Sequence, residues 1–149
     1  MSLNFSISQE KQLDEIVKKL IKSISAHQIF FFEGEVGSGK TTLIRYLLEG
    51  IAKLENKKLF FQGSPTYQRE HIYNFKKYDV VHFDFYQVEN SPIDIDEYLL
   101  NKCIFIEWPL EALKSKYFDE ALFIKIDLKN KIREINIQSS KNKWLQKIK

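Results

Sequence analysis

Residues 28 to 42, Gln28-Ile29-Phe30-Phe31-Phe32-Glu33-Gly34-Glu35-Val36-Gly37-Ser38-Gly39-Lys40-Thr41-Thr42, decide the fold. The first six form an apolar run of the kind that makes a parallel strand buried on both faces. From Gly34 to Thr41 the chain spells G-x-x-x-x-G-K-[ST], a loop whose backbone N–H groups turn inward around phosphates. Glycines are needed there because the backbone takes conformations closed to other residues. Thr42-Leu43-Ile44-Arg45-Tyr46-Leu47-Leu48 then reads as a helix, whose N-terminal amides and dipole meet the anion. The motif gives Lys40 the β- and γ-phosphates and the Thr41 hydroxyl a Mg²⁺ ion. Glu35, Val36, Gly37, Ser38, Gly39, Lys40, Thr41 and Thr42 are therefore expected to line a bound nucleoside triphosphate.

The rest of the composition fits a soluble α/β domain. The 149 residues suit one domain, 1–149, with a sizeable core. Phe (12) and Tyr (7) are plentiful and Gly is scarce (5), so spending Gly34, Gly37 and Gly39 on one loop marks it as special. No apolar run approaches the roughly 20 residues of a membrane span, and the first residues lack a signal-peptide pattern. Cytoplasmic residence and no membrane partner are expected. Cys103, the single cysteine, lies in Cys103-Ile104-Phe105-Ile106 and reads as a core residue.

Net charge is +3, unevenly placed: Lys129, Lys131, Arg133, Lys141, Lys143, Lys147 and Lys149 face Glu134 alone in the last stretch. The tail from about 139 to 149 is thus either a surface for RNA or an acidic partner, or a solvated face or frayed end.

Along the chain, residues 8 to 26 carry a helical stripe (Leu13, Ile16, Val17, Leu20, Ile21, Ile24) with Ser8 as a plausible cap. Leu59-Phe60-Phe61-Gln62 is a short strand candidate, its phenylalanines read as core, and residues 67 to 77 have no clean period. Residues 78 to 86 read as a strand, with Val81, Phe83 and Phe85 on one face and His82, Asp84 and Tyr86 on the other. Ser91-Pro92 opens a short helix reaching 101. Residues 103 to 107 are a buried strand ending in Glu107, and 110 to 118 are helical. Residues 122 to 127 and 133 to 137 alternate around a 128–131 turn, as an antiparallel pair does. Strands alternating with helices imply a three-layer α/β fold of the P-loop NTPase type. Its central sheet is mostly parallel, with antiparallel strands at the C-terminal end.

In such sheets ligands sit at the carboxyl ends of strands, and Gly34, Thr66, Asp84 and Glu107 all fall at or just past one. Phosphoryl transfer to water needs phosphate neutralisation, a metal and a group that orients water. Lys40 serves the first, Thr41 and Asp84 the metal, and Glu107 is the better water-polarising group because it closes an apolar strand. Which carboxylate takes metal and which takes water stays open, so Glu107 also belongs to the candidate metal set. Ser64-Pro65-Thr66 is either a turn or a switch segment whose Thr66 hydroxyl meets the metal or the γ-phosphate in the triphosphate state. His82 reads as a hydrogen-bonded core histidine. Trp108 packs on nucleotide, on a partner or at the core edge.

Together the loop, Ser64-Pro65-Thr66-Tyr67, His82-Phe83-Asp84-Phe85-Tyr86 and Ile106-Glu107-Trp108-Pro109 resemble the TsaE (YjeE) family, in its order and spacing. The loop alone is generic; the combination is specific. The resemblance implies an ATPase of bacterial tRNA threonylcarbamoyladenosine synthesis that works with TsaB and TsaD on position 37 of tRNA, weak when isolated. It implies Lys40 on phosphates, Thr41 and Asp84 on Mg²⁺, Thr66 in the switch, and Glu107 with Trp108 completing a hydrolytic site. The preference for ATP over GTP also comes from the resemblance. The chain departs from the family in having Gln87 where Arg is usual, Ser38 where Ala is frequent, and no glycine just before Glu107. Two rivals stand beside it: a small-molecule kinase, for which no arginine-bearing lid is visible, and a nucleotide-dependent adaptor that does not hydrolyse.

Overall fold

In the computed structural model, which describes residues 2–65, 70–89 and 94–148, β2 (Gln28–Glu33) is central. It pairs in parallel with β5 (Lys102–Glu107) on one side and with β6 (Ala121–Lys129) on the other. β4 (Asp79–Asp84) runs parallel to β5, and β3 (Glu70–Asn74) closes that edge antiparallel. Past β6, β7 (Ile132–Gln138) and then β1 (Ser2–Ile7) add antiparallel strands, completing a seven-stranded sheet of order β1-β7-β6-β2-β5-β4-β3.

The period of two along each strand builds the layers. Phe30, Phe32, Phe105, Leu122 and Ile124 face α1 (Leu13–Ile21), α2 (Lys40–Leu54) and α5 (Asn142–Ile148). Ile29, Phe31, Phe83, Ile104 and Ile106 face α3 (Ile95–Tyr98) and α4 (Glu111–Lys116). The architecture is the three-layer P-loop NTPase fold, parallel in the middle. The hairpin of β6 and β7 is the antiparallel pair that the alternation implies, turned by Asn130 and Lys131, both at positive φ as a two-residue hairpin requires. Cys103 is fully buried in the core, which pushes its thiol well above the usual range.

Several local expectations need correction. Residues 59 to 62 form no strand: the edge position goes to β3, and the Gln62 N–H donates to the Tyr73 hydroxyl instead. Phe61 stacks on Tyr73, but Phe60 is 86% exposed and is no core residue. The first helix is split. A 3-10 turn over Glu10–Gln12 precedes α1, and the Gln12 side chain, not Ser8, serves the entry by accepting the Ser8 and Gln9 N–H groups. The helix stops at Ile21, where the Ser23 hydroxyl donates to the Leu20 carbonyl, although Ile24 still packs in the core. α3 is capped by Asp94, whose carboxylate accepts the Asp96 N–H; Ser91 and Pro92 lie outside the described residues.

The C-terminal stretch is not a frayed tail. α5 lays Leu145 and Ile148 into the core with no exposure, while Lys143 and Lys147 stay on its outer side. Leu145→Ala is expected to lower the unfolding free energy by about 2–5 kcal/mol. Lys143→Glu or Lys147→Glu should change it by less than about 0.5 kcal/mol. Urea titrations of the variants check both.

Candidate active site

Parallel pairing brings the site together. β2, β4 and β5 point the same way, so the loop after Glu33, the end of β4 at Asp84 and the end of β5 at Glu107 share one edge. The register is tight: Glu107 pairs with Phe32 on one side and with Asp84 on the other. Since Val80, Cys103 and Phe105 face α2, the same alternation puts His82, Asp84 and Glu107 on the α2 face.

The loop from Gly34 to Gly39 holds its shape through three positive-φ glycines. Gly34 (φ +150°) is also sterically constrained: a Cβ there would lie 2.4 Å from the Ile126 carbonyl oxygen and 2.6 Å from Ser38 Oγ. Gly39 (φ +113°) precedes α2, and the first amides of that helix have no acceptor within it. Lys40 opens the helix and is 5% exposed. Its Nζ donates to the carbonyls of Gly34 and Glu35 and lies 4.2 Å over the Trp108 ring. Burial holds this ammonium below the usual lysine value, against the pull of Glu107, Asp84 and Glu35.

The carboxylates are both bound. Thr41 Oγ1 donates to Glu107 Oε1 at 2.8 Å, and His82 Nε2 lies 2.6 Å from Glu107 Oε2. His82 is thus a buried histidine with a partner, as its strand position implies, but its Nδ1 has none among the described residues. Asp84 accepts the Ser64 hydroxyl and the Tyr86 N–H. Trp108 adopts a left-handed backbone (φ +55°) directly after Glu107, its N–H donating to the Phe32 carbonyl. That turn aims the indole across Lys40 and against Tyr86, whose ring centroid is 4.8 Å away.

Val36, Gly37, Gly39, Lys40, Thr41, Thr42, Ser64, Asp84, Tyr86, Glu107, Trp108 and Arg133 line one cleft of about 360 Å³. Of the expected nucleotide-lining residues, Glu35 and Ser38 are not among the lining side chains. Ser38 is buried under the loop, and Glu35 meets Lys40 through its carbonyl. Thr66 lies outside the described residues. Gln87 sits at φ +59° beyond Tyr86. Arg133, which the sequence gives only as one charge of a basic stretch, reaches this cleft from β7, and its Nε donates to the Ser38 carbonyl at 2.8 Å. No local pattern marks it; only the sheet register brings it there. A larger depression of about 1000 Å³, lined by Glu33, Lys114, Phe118 and Phe123 among others, contains none of the loop or carboxylate residues.

No group of three or more His, Cys, Asp or Glu side chains among the described residues forms a metal cage. The Thr41 hydroxyl with Asp84 and Glu107 instead offers hard oxygen donors of the sort Mg²⁺ accepts when phosphates supply the remaining ligands. A glycine loop between a central parallel strand and a helix, faced by carboxylates on the next two strands, is the arrangement of the P-loop NTPase fold.

The model of the family described as threonylcarbamoyl adenosine biosynthesis protein TsaE matches residues 7–137, and the chain belongs to that family. A tRNA threonylcarbamoyladenosine biosynthesis protein TsaE from Borreliella burgdorferi is 30% identical over 139 residues, covering 85% of this chain and 94% of its own length. The protein of that name from Haemophilus influenzae is 29% identical, with 89% and 82% covered. The crystal structure of YdiB from Bacillus subtilis superposes with a TM-score of 0.75 at 21% identity, over 99% of this chain and 91% of the other, a likeness of fold. No described helix is long and apolar enough to cross a membrane.

Gly34→Ala should force the loop away from β6 and cost about 1–3 kcal/mol of unfolding free energy. Chemical denaturation of the variant measures this.

Proposed function

We propose that this chain is the ATP-binding and ATP-hydrolysing component of tRNA threonylcarbamoyladenosine formation at position 37, a switch stimulated by homologues of TsaB and TsaD. The pathway comes from the family and from its relatives' names. The observation that supports hydrolysis is Glu107, buried and held by His82 on one oxygen while its other oxygen meets Thr41 at the head of the glycine loop.

Each residue then has a part. The glycine loop and Lys40 bind the phosphates, and Thr41 and Asp84 would hold Mg²⁺. When bound, the ion neutralises charge on the phosphate oxygens. Glu107 accepts a hydrogen bond from the attacking water and orients it toward the terminal phosphate. His82 fixes which way the carboxylate points, and the low exposure of both keeps bulk water from competing for it. Trp108, across Lys40, forms an aromatic wall for the nucleotide or for a partner seated on the cleft. Arg133, by contrast, reaches the cleft from a sheet strand.

Mg²⁺-dependent phosphate release from ATP, with and without a purified TsaB–TsaD pair, tests the reading. Release should rise with the pair. In Glu107→Ala it should fall by about 10²-fold or more while ATP still binds; in Lys40→Ala binding itself should fail. Wild-type rates in both variants would remove the assigned roles. Phosphate appearing on an added metabolite would make the protein a kinase, and binding without release would make it an adaptor.

A further inference from the structure

Arg133 is the one site element that the motif does not account for. It follows Ile132 at the start of β7, paired with Leu128 across the hairpin and with Ile7 of β1. From there its side chain crosses to the glycine loop. Nε donates to the Ser38 carbonyl, and Nε and Cδ lie 3.3 and 3.6 Å from where a Cβ on Gly39 would stand. Gly39 is therefore small for a second reason: an arginine stem lies on it. The bond to Ser38 occupies one of five guanidinium N–H groups, and no carboxylate pairs with Arg133 among the described residues. Four donors and a full positive charge remain at the wall of the cleft.

The side from which it approaches decides what it meets. Lys40, Thr41, Asp84 and Glu107 mark the end where the terminal phosphate would react. Arg133 stands on the other flank, between that cleft and a smaller cavity of about 70 Å³ that shares Gly39 and Thr42 with it. Glu10, Ile126 and Ile135 line this cavity, and none of Lys40, Asp84 and Glu107 does. We propose that Arg133 is a nucleotide ligand supplied within the chain, its Nη groups binding the α- and β-phosphate oxygens beside Gly39 and Thr42 while Nε pins the loop. The inference rests on the reading that the loop binds a nucleoside triphosphate. Because the α- and β-phosphates stay on the product, Arg133 sets affinity for ATP and ADP alike and is not a transition-state group.

Titrations of ATP and ADP into the full chain, for wild type, Arg133→Gln, Arg133→Lys and Lys40→Ala, test this at several KCl concentrations. Arg133→Gln should bind both nucleotides about 10- to 100-fold more weakly, the scale of charge-assisted hydrogen bonds. The loss should fall on KM far more than on kcat, and affinity should decline less steeply with salt than in wild type. Arg133→Lys, which keeps the charge but not the fork, should fall between and retain the wild-type salt slope. A role confined to bracing Ser38 would leave the Arg133→Gln salt slope unchanged and would overturn the proposal, as would wild-type affinities in Arg133→Gln. A drop in kcat greater than in KM would equally overturn it, since Arg133 would then act on the reacting phosphate. If wild type and Lys40→Ala alike bind neither nucleotide, the nucleotide reading itself fails and takes this proposal with it. If they differ as expected while Arg133→Gln behaves like wild type, only the role of Arg133 falls.

Discussion

Parallel pairing of β2 with β5 and β6 sends the strand ends that matter to one edge of the sheet, and the rest of the site follows from it. A strand buried on both faces cannot leave its backbone groups unpaired, so it must lie between two neighbours along its whole length. The chain therefore emerges from β2 at Gly34 into a narrow space already bounded by the Ile126 carbonyl. A residue with a side chain does not fit, and the loop must curl around its own backbone before α2 can begin. The same pairing sets Glu107 between Phe32 and Asp84, within reach of the first helical turn at Thr41.

Glu107 is where three levels of structure meet. The strand alternation aims it at α2, His82 two positions before Asp84 reaches it across the sheet, and the backbone reverses immediately behind it. The left-handed conformation of Trp108 costs on the order of 1–3 kcal/mol for a residue with a side chain. It is held by the hydrogen bond to Phe32 and by the contacts of the indole with Lys40 and Tyr86. A strained residue beside the carboxylate that would orient water is where strain is expected to collect. Position 108 could be relaxed by glycine, but only by giving up the aromatic wall.

What was legible in the sequence is what local chemistry determines. The central strands are continuous apolar runs, and Lys40, Thr41, Asp84 and Glu107 stand at the ends of such runs, so periodicity and motif spacing locate them. The edges were not legible. β1 alternates half-buried with exposed residues and pairs with a partner far along the chain, while β3 alternates buried with exposed residues over only five positions. α5 offers Trp144, Leu145 and Ile148 among lysines, too short an apolar pattern to separate a docked helix from a solvated one. Arg133 is the clearest case. In sequence it is one cation among seven; only its register with Ile7 and Leu128 sends it to the glycine loop.

The pairing of β1 with β7 joins residues 2–7 to residues 133–138, with the Ser6 hydroxyl on Glu134 across a separation of 128 residues. During synthesis β1 has no neighbour until residues 133–138 have been made. The parallel centre can assemble first, but its flank, including the strand that carries Arg133, waits for residues 132–138. Such long closures slow folding, and they leave an apolar strand edge on β6 open in the meantime. The nascent protein would thus hold its glycine loop and both carboxylates before it holds the arginine that braces the loop.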